Sequence, residues 1–217
     1  MSDSRRLAER LKTAKGRSTS QQNWLRRQLN DPYVGKAKDA GYRSRAAFKL
    51  IEIDAKVRLF RPGMKIVDLG AAPGGWTQVA IERKAGTIVA LDILEMDQLP
   101  GAVVLQADFL DPAASEKVKA ALNGPADLIL TDMAPSTTGH RETDHLRIIA
   151  LVEAAFEFAC DVLKPGGAFV GKLRQGGEEQ QLMKAVQARF AKLQRIKPPS
   201  SRSESAEFYF AATGFKG

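Results

Sequence analysis

Lys172 is the residue of this sequence whose surroundings least suit its charge. It lies in the apolar run 169–173 (FVGKL), which is typical of a strand buried on both faces of a sheet. Because burying an unpaired ammonium is costly, we expect Lys172 to lie at the carboxyl end of its strand and to face a polar site. Asp132, which ends the neighbouring predicted strand, is its expected partner.

Two further charged residues occupy unusual positions. Lys49 lies between Phe48 and Leu50, on the apolar side of a predicted helix, and Glu207 opens the last predicted strand. Each could belong to a polar site together with Lys172 and Asp132. Taken singly, each is equally consistent with an ordinary surface salt bridge.

A cofactor site is indicated by the segment 68–76 (DLGAAPGGW). A predicted buried strand leads there into a Gly-rich turn that begins a helix, as at the ligand sites of doubly wound sheets. Asp92 ends the next predicted strand, where a carboxylate can accept hydrogen bonds from ribose hydroxyls. Asp108 and Asp132 end the two strands that follow, so four acidic residues are expected at one edge of the sheet.

Two classes of cofactor share this layout. A dinucleotide site requires G-x-G-x-x-G, whereas here Gly70 is followed after three residues by Gly74 and Gly75, with Pro73 inside the loop. Four carboxylates would also repel a pyrophosphate, and they suit a cofactor with a positive centre, such as S-adenosylmethionine. The pattern therefore favours S-adenosylmethionine over a nicotinamide cofactor.

The elements that must position these residues follow an α/β pattern. The strands are expected at 65–69, 87–93, 102–107, 127–131, 168–173, 193–196 and 207–213, and the main helices at 75–83, 112–122, 141–163 and 178–190. This alternation predicts a Rossmann-like, mostly parallel sheet with helices on both faces. The last connection is too short for a crossover helix, which predicts an antiparallel C-terminal strand. Residues 164–167 (KPGG) are expected to end the preceding helix.

The N-terminal part differs in composition from the rest. We expect a flexible basic tail at 1–19, a basic helical layer at 20–62 and the main domain at 63–217, with 20–217 forming one globular unit. Within the layer, short helices are expected at 20–30 and 32–40, and Ser44 is expected to cap a third. Residues 1–62 contain 16 Lys and Arg against 6 Asp and Glu, while the whole chain carries +8.

This charge distribution suggests a polyanionic partner. A second basic stretch, at 180–203, contains no acidic residue, so a near-neutral body carries two basic regions. Lys36, Lys38, Arg43 and Arg45 are expected to contact phosphates. A merely solvated surface is the alternative interpretation.

Composition excludes several classes of protein. The chain of 217 residues has 44% hydrophobic residues, no apolar run long enough to span a membrane and no secretion signal, so we expect a cytoplasmic protein. The single cysteine, Cys160, excludes an intramolecular disulfide. His140 and His145 have no Cys or carboxylate partner at metal-ligand spacing, so no metal site is expected from the sequence.

Several of these motifs together resemble the FtsJ/RlmE family. They are the segments 43–50 (RSRAAFKL), 68–76 (DLGAAPGGW), 131–135 (TDMAP), 165–167 (PGG) and 211–214 (AATG). The resemblance extends from about residue 20 to the C-terminus. It implies a class I methyltransferase fold and S-adenosylmethionine-dependent 2′-O-methylation of ribose, usually of a uridine in the A loop of large-subunit ribosomal RNA.

The same resemblance implies roles for individual residues. The catalytic set is Lys49, Asp132, Lys172 and Glu207, and the cofactor contacts are Gly74, Trp76, Asp92, Asp108 and Asp132. Because no His or Cys is placed to take the proton of a ribose hydroxyl, Lys172 is the candidate base. The implied partner is ribosomal RNA within the large subunit. The protein is expected to act as a monomer, with no membrane partner and no bound metal.

Alternatives remain open at this point. Relatives that act on transfer RNA or on messenger RNA caps share the same four residues, so these residues do not identify the RNA. The family more often has an apolar residue before the lysine at 172, where this chain has Gly171, and Glu204 lies close to Glu207. A nicotinamide-dependent oxidoreductase and a non-catalytic RNA-binding protein are the candidate functions from other classes.

Overall fold

The computed structural model describes residues 22, 25, 26, 28–135 and 141–217, with residues 141 and 142 described by their backbone alone. The strands are β1 (Lys65–Leu69), β2 (Thr87–Asp92), β3 (Val103–Gln106), β4 (Ala126–Thr131), β5 (Leu163–Arg174), β6 (Phe190–Ile196) and β7 (Glu207–Phe215). The helices are α1 (Pro32–Asp39), α2 (Ala46–Val57), α3 (Gly75–Glu82), α4 (Pro112–Leu122), α5 (Arg141–Val162) and α6 (Glu179–Arg189). The tail expected at 1–19 lies outside the described residues.

The described strands form one mixed sheet in the order β3-β2-β1-β4-β5-β7-β6. β1 pairs in parallel with β2 and β4, β2 with β3, and β4 with β5. β7 lies between β5 and β6 and is antiparallel to both, so the predicted antiparallel C-terminal strand is confirmed. The strand order reverses between β1 and β4, and the carboxyl ends of two such strands form the crevice in which α/β sheets bind ligands.

Helices cover both faces of the sheet, as the α/β pattern predicts. On one face, α2 and α3 pack through Leu50 and Val79 against Ile66 of β1. On the other face, α4, α5 and α6 pack against the sheet, with Val152 and Phe169 in the same core cluster. The N-terminal helix α2 therefore shares its core with the central strands. None of the described helices is long and apolar enough to cross a membrane.

One local expectation is confirmed and another differs from the structure. α5 ends at Val162, directly before the segment 164–167 that was expected to end it, and β5 begins at Leu163, includes this segment and pairs with β4 through an irregular register near Ala126. Ser44 does not cap α2 with its side chain, since Arg45 occupies the N-cap position without a side-chain hydrogen bond. The backbone carbonyl of Ser44 instead accepts the Ala47 N–H.

Gly171 provides a test of how closely β5 and β7 pack. A Cβ atom at this position would lie 2.6 Å from the Phe210 ring and 3.3 Å from Thr131 Cγ2. We predict that Gly171→Ala lowers the free energy of unfolding by about 1–3 kcal/mol, because the buried ring has to move. Urea denaturation measures this loss. With Phe210→Leu, which removes the clashing ring atoms, the double variant should lose less than the sum of the two single losses. Strict additivity would contradict the proposed clash.

Candidate active site

The carboxyl ends of β4 and β5 bring Asp132 and Lys172 together. Thr131 pairs with Gly171 in the parallel register, so the next residue of each strand emerges at the same edge of the sheet. Lys172 Nζ lies 2.8 Å from Asp132 Oδ1 and donates a hydrogen bond of 2.6 Å to the Asp132 carbonyl oxygen. The two side chains are only 8% and 17% exposed, which makes this a nearly buried ion pair.

Tyr209 extends this pair towards the N-terminal layer. It lies opposite Lys172 in the antiparallel pairing of β5 and β7, and its hydroxyl donates a hydrogen bond of 2.8 Å to Asp132 Oδ1. The same hydroxyl accepts a hydrogen bond of 2.9 Å from Lys49 Nζ of α2. Lys49 therefore reaches Asp132 through the phenol.

Glu207 completes the group at its outer edge. It precedes Tyr209 by two residues in β7, and Glu207 Oε2 lies 4.0 Å from Lys49 Nζ. Its side chain is 42% exposed, whereas that of Lys49 is 14% exposed. The structure thus places all four residues of the expected catalytic set in one connected cluster. Tyr209 was not among the residues expected at this site, although its position two residues after Glu207 in an alternating strand was a usable signal.

The charges of this cluster determine its protonation. Burial by itself would raise the pKa of Asp132, but the charges of Lys172 and Lys49, with hydrogen bonds from Lys172 and Tyr209, hold that pKa below its ordinary value. Burial and the neighbouring Asp132 carboxylate raise the pKa of Tyr209 well above its usual range. At neutral pH Asp132 is therefore an anion and Tyr209 a neutral hydrogen-bond donor.

A cavity of about 390 Å³ opens beside Asp132. Its acidic lining consists of Asp92, Asp108 and Asp132, and its apolar lining includes Leu94, Phe109 and Met133. Three of the five residues expected to contact a cofactor thus face one cavity, at the reversal of strand order.

The floor of this cavity depends on a close backbone approach. Gly70 has φ +77°, and a Cβ atom there would lie 2.5 Å from Met133 Cγ and 2.8 Å from Met133 Cα. Only glycine combines this left-handed conformation with this contact. Asp92 organises the same loop, since its Oδ2 accepts the Ala72 N–H and its Oδ1 the Leu94 N–H, both at 2.8 Å.

Gly74 and Trp76, the other two expected cofactor contacts, do not line this cavity. Gly74 is the N-cap of α3 with φ +110°. The Trp76 side chain is buried, and its Nε1 donates a hydrogen bond of 2.8 Å to Ala46 O of α2. Because Trp76 is the second residue of α3, its backbone N–H is one of the donors that a helix leaves unpaired. A cofactor contact by Trp76 would use this N–H rather than the indole, and both assignments stay predictions.

Two arginines that were expected to contact phosphates make contacts inside the fold. The Arg43 guanidinium donates hydrogen bonds to the backbone carbonyls of Pro73, Asp97 and Gln98, at 3.2, 2.8 and 3.1 Å. Arg43 therefore ties the Gly-rich loop to the segment after β2. Arg45 makes an ion pair with Asp31.

A second cavity, of about 360 Å³, lies on the N-terminal side of the cluster. Arg45, Lys49, Arg202 and Glu207 line it. Arg202 Nη2 lies 3.2 Å from Asp31 Oδ2, so Asp31 joins the N-terminal basic region to the connection between β6 and β7. This cavity offers two guanidinium groups next to the four clustered residues.

Asp68, the acidic residue of the Gly-rich segment, is buried beneath its loop. Its Oδ2 accepts a hydrogen bond of 2.7 Å from Thr77 Oγ1, whereas its Oδ1 has no hydrogen-bond partner among the described residues. Burial, with smaller contributions from the Asp132 and Asp92 carboxylates, raises the pKa of Asp68 to about 7, against the lowering effect of the Thr77 hydrogen bond. Asp68 thus links β1 to α3 and is partly protonated near neutral pH.

Residues 42–215 match the model of one protein family, described as FtsJ-like methyltransferase. Two curated relatives share the name Ribosomal RNA large subunit methyltransferase E. The protein from Paramagnetospirillum magneticum is 55% identical over 221 residues, which covers 99% of this chain and 91% of the relative. The protein from Azorhizobium caulinodans is 56% identical over 220 residues, with 99% and 92% covered.

Solved structures show the same fold. A protein described as a ribosomal RNA methyltransferase from Plasmodium falciparum superposes with a TM-score of 0.74 at 29% identity, over 81% of this chain and 100% of that one. A protein named as a hemolysin from Streptococcus thermophilus superposes with a TM-score of 0.58 at 16% identity, over 81% and 67% of the two chains. The second likeness concerns the fold alone.

Asp68 generates a prediction about stability and pH. Its folded-state pKa of about 7 exceeds the ordinary value of 3.8, so the protonated form favours the folded state. This contribution is complete below about pH 4 and is lost as the pH rises through 7. Asp68→Asn should remove this loss. The free energy of unfolding of the variant minus that of the wild type should therefore increase by up to about 4 kcal/mol between pH 4 and pH 8.

Urea denaturation of both proteins across this pH range measures the difference, in which the other titrating groups cancel. Asp39→Asn makes the same substitution at an exposed position at the end of α1 and is the matched control. A constant difference between Asp68→Asn and the wild type over this range would contradict the raised pKa.

Proposed function

This chain belongs to the FtsJ-like methyltransferase family, and on that premise we propose that it transfers a methyl group from S-adenosylmethionine to a ribose 2′-hydroxyl of RNA. The proposed substrate is large-subunit ribosomal RNA, with a uridine of the A loop as the target. The names of the relatives from Paramagnetospirillum magneticum and Azorhizobium caulinodans support ribosomal RNA as the substrate class.

The observation that carries this proposal is the connected cluster of Lys172, Asp132, Tyr209, Lys49 and Glu207. It lies between two cavities, since Asp132 lines one and Lys49 and Glu207 line the other. A cofactor in the first cavity and a ribose in the second would therefore meet at the buried ion pair. This arrangement suits a reaction between two bound molecules, because it removes most of the entropy cost of bringing them together.

The lining of the first cavity fits S-adenosylmethionine. Asp92 would hold the ribose hydroxyls, and Asp108 would accept a hydrogen bond from the adenine amino group. Phe109 and Leu94 offer apolar contact for a purine ring. The Asp132 carboxylate, held as an anion, suits a positive centre. When bound, S-adenosylmethionine supplies an activated methyl group on a positively charged sulfur.

The residues of the cluster then have separate tasks. Lys172 accepts the proton of the attacking 2′-hydroxyl after it has released its own proton to solvent. Asp132 holds Lys172 Nζ in position through Oδ1 and through its carbonyl oxygen, at 2.8 and 2.6 Å. Lys49 stabilises the negative charge that develops on the ribose oxygen. Glu207, half exposed at the edge of the cluster, orients Lys49 and accepts a hydrogen bond from the ribose.

The basic residues next to the second cavity support an RNA partner. Arg45 and Arg202 line this cavity, and Asp31 fixes both of them there. Lys36 and Lys38 of α1 are exposed, so they remain available for phosphate contacts of the kind expected from the sequence. Together these groups would hold the strand on either side of the target ribose.

Lys172→Ala should lower the rate of methyl transfer by about 10²- to 10⁴-fold, because the attacking hydroxyl loses its base. S-Adenosylmethionine affinity should stay nearly unchanged. The assay follows a labelled methyl group into large-subunit ribosomal RNA, free or in assembled subunits, and nuclease digestion then identifies the modified nucleoside. Lys117→Ala, which removes an exposed lysine of α4 outside both basic regions, is the control and should be fully active.

Three results would contradict this proposal in different ways. Near-normal turnover by Lys172→Ala would remove its role as the base. A methyl group found on a nucleobase would exclude ribose 2′-O-methylation. Failure of the wild-type protein to label large-subunit ribosomal RNA in any form would overturn the proposed substrate.

Asp92→Ala should weaken S-adenosylmethionine binding by about 5- to 150-fold, which corresponds to about 1–3 kcal/mol for the lost polar contacts. Isothermal titration calorimetry measures the affinity, and a parallel titration with NAD tests the oxidoreductase alternative. Asp97→Ala, at an exposed position in the same segment, should bind like the wild type. A folded Asp92→Ala protein with unchanged affinity would remove the ribose assignment, and tight NAD binding would contradict the choice of cofactor.

A further inference from the structure

Three potential metal ligands converge on the side of the protein where β5 leads into α6. His145 lies in the second turn of α5, and Glu178 and Glu179 lie just before and at the start of α6. One ligand atom from each of the three residues lies within 4.8 Å of the other two. His145 Nε2 is 2.8 Å from Glu178 Oε2 and 4.0 Å from Glu179 Oε2.

The His145 side chain is buried without a satisfactory hydrogen bond. It is 9% exposed, and neither Nδ1 nor Nε2 has a hydrogen-bond partner among the described residues. Nε2 is close to Glu178 Oε2, but the angle does not suit a hydrogen bond. Because buried polar groups nearly always have a hydrogen-bond partner or a ligand, the unpaired His145 ring indicates a ligand site.

The backbone around His145 is shaped to receive its ring. A Cβ atom at Gly176 would lie 2.4 Å from His145 Nε2, so the imidazole packs directly on the Gly176 backbone. The N–H groups of Gly176 and Gly177 donate to Glu179 Oε2 at 3.1 and 2.5 Å. These contacts hold the ring and one carboxylate in place, as outer contacts do at metal sites.

We propose that His145, Glu178 and Glu179 bind one divalent transition-metal ion of the zinc type. An imidazole with two carboxylates suits Zn²⁺ and similar ions better than Mg²⁺ or Ca²⁺, which prefer oxygen ligands alone. With bonds of about 2.1 Å, two ligands of a tetrahedral ion lie about 3.4 Å apart, a value between the two separations from Nε2. Water completes the coordination.

The proposed metal site is open to solvent on one side and borders a cavity on the other. Glu178 is 57% exposed, so an ion can enter from solvent. His145 and Glu178 also line a cavity of about 610 Å³ whose wall includes Glu207. A bound ion would tie α5 to the segment after β5 and so stabilise this wall. The site takes no part in the proposed methyl transfer and does not depend on it.

The distance along the chain explains why no metal site was expected from the sequence. The two glutamates follow His145 in the chain only after the rest of α5 and the whole of β5. Only the packing of α5 beside α6 brings them to His145.

The experiment uses the full-length protein after treatment with a chelator. Calorimetric titration with ZnCl₂ should show one equivalent of Zn²⁺ bound, and Co²⁺ at the same site should give a visible absorption spectrum of low symmetry. Glu178→Gln, at an exposed position that does not threaten folding, should weaken Zn²⁺ binding by at least about tenfold. His145→Ala should abolish it. Glu153→Gln, at an exposed position further along α5, is the matched control and should bind like the wild type.

Thermal unfolding gives an independent measurement. Zn²⁺ should raise the unfolding temperature of the wild type and of Glu153→Gln, but not that of Glu178→Gln. Absence of stoichiometric Zn²⁺ binding by the wild type would overturn the proposal. Equal affinity of Glu178→Gln and the wild type would overturn it as well. So would a site that is lost in His140→Ala and kept in His145→Ala.

Discussion

The buried ion pair between Lys172 and Asp132 is the interaction on which the site depends. Both charges are largely removed from water, which is favourable only when each has its partner and further hydrogen bonds. Asp132 receives these from Lys172 and from the Tyr209 hydroxyl, and Lys172 donates a second bond to the Asp132 carbonyl oxygen. Without Lys172, Asp132 would keep the Tyr209 hydrogen bond and the nearby charge of Lys49.

The parallel register of the central strands turns this pair into the centre of a site. Because β1 and β4 are neighbours in the sheet, the Gly-rich loop after β1 and the segment after β4 meet at one crevice. Gly70 permits this approach, since any side chain there would clash with Met133. The buried Asp68 fixes the start of α3 below the loop through Thr77. Cofactor cavity and ion pair are therefore consequences of the same strand order.

The N-terminal helical layer contributes to the site as well as to the core. α2 supplies Lys49, which reaches Asp132 through Tyr209. Arg43 binds three backbone carbonyls, and Asp31 pairs with both Arg45 and Arg202. Part of the basic charge that suggested a polyanionic partner thus stabilises the fold. The fixed guanidinium groups nevertheless line the cavity next to Lys49, so structural and binding roles coincide there.

The sequence by itself determined the fold class and most of the strands and helices, because apolar periodicity and turn residues are local signals. It also indicated the unusual positions of Lys172 and Lys49, since charge within an apolar run is visible without a structure. Only the tertiary structure decided which side chains touch. The link through Tyr209, the internal contacts of Arg43 and the meeting of His145 with Glu178 and Glu179 each join residues far apart in the chain. Contacts of this kind depend on the order of the strands and on the packing of the helices. Neither can be read from the spacing of residues along the chain.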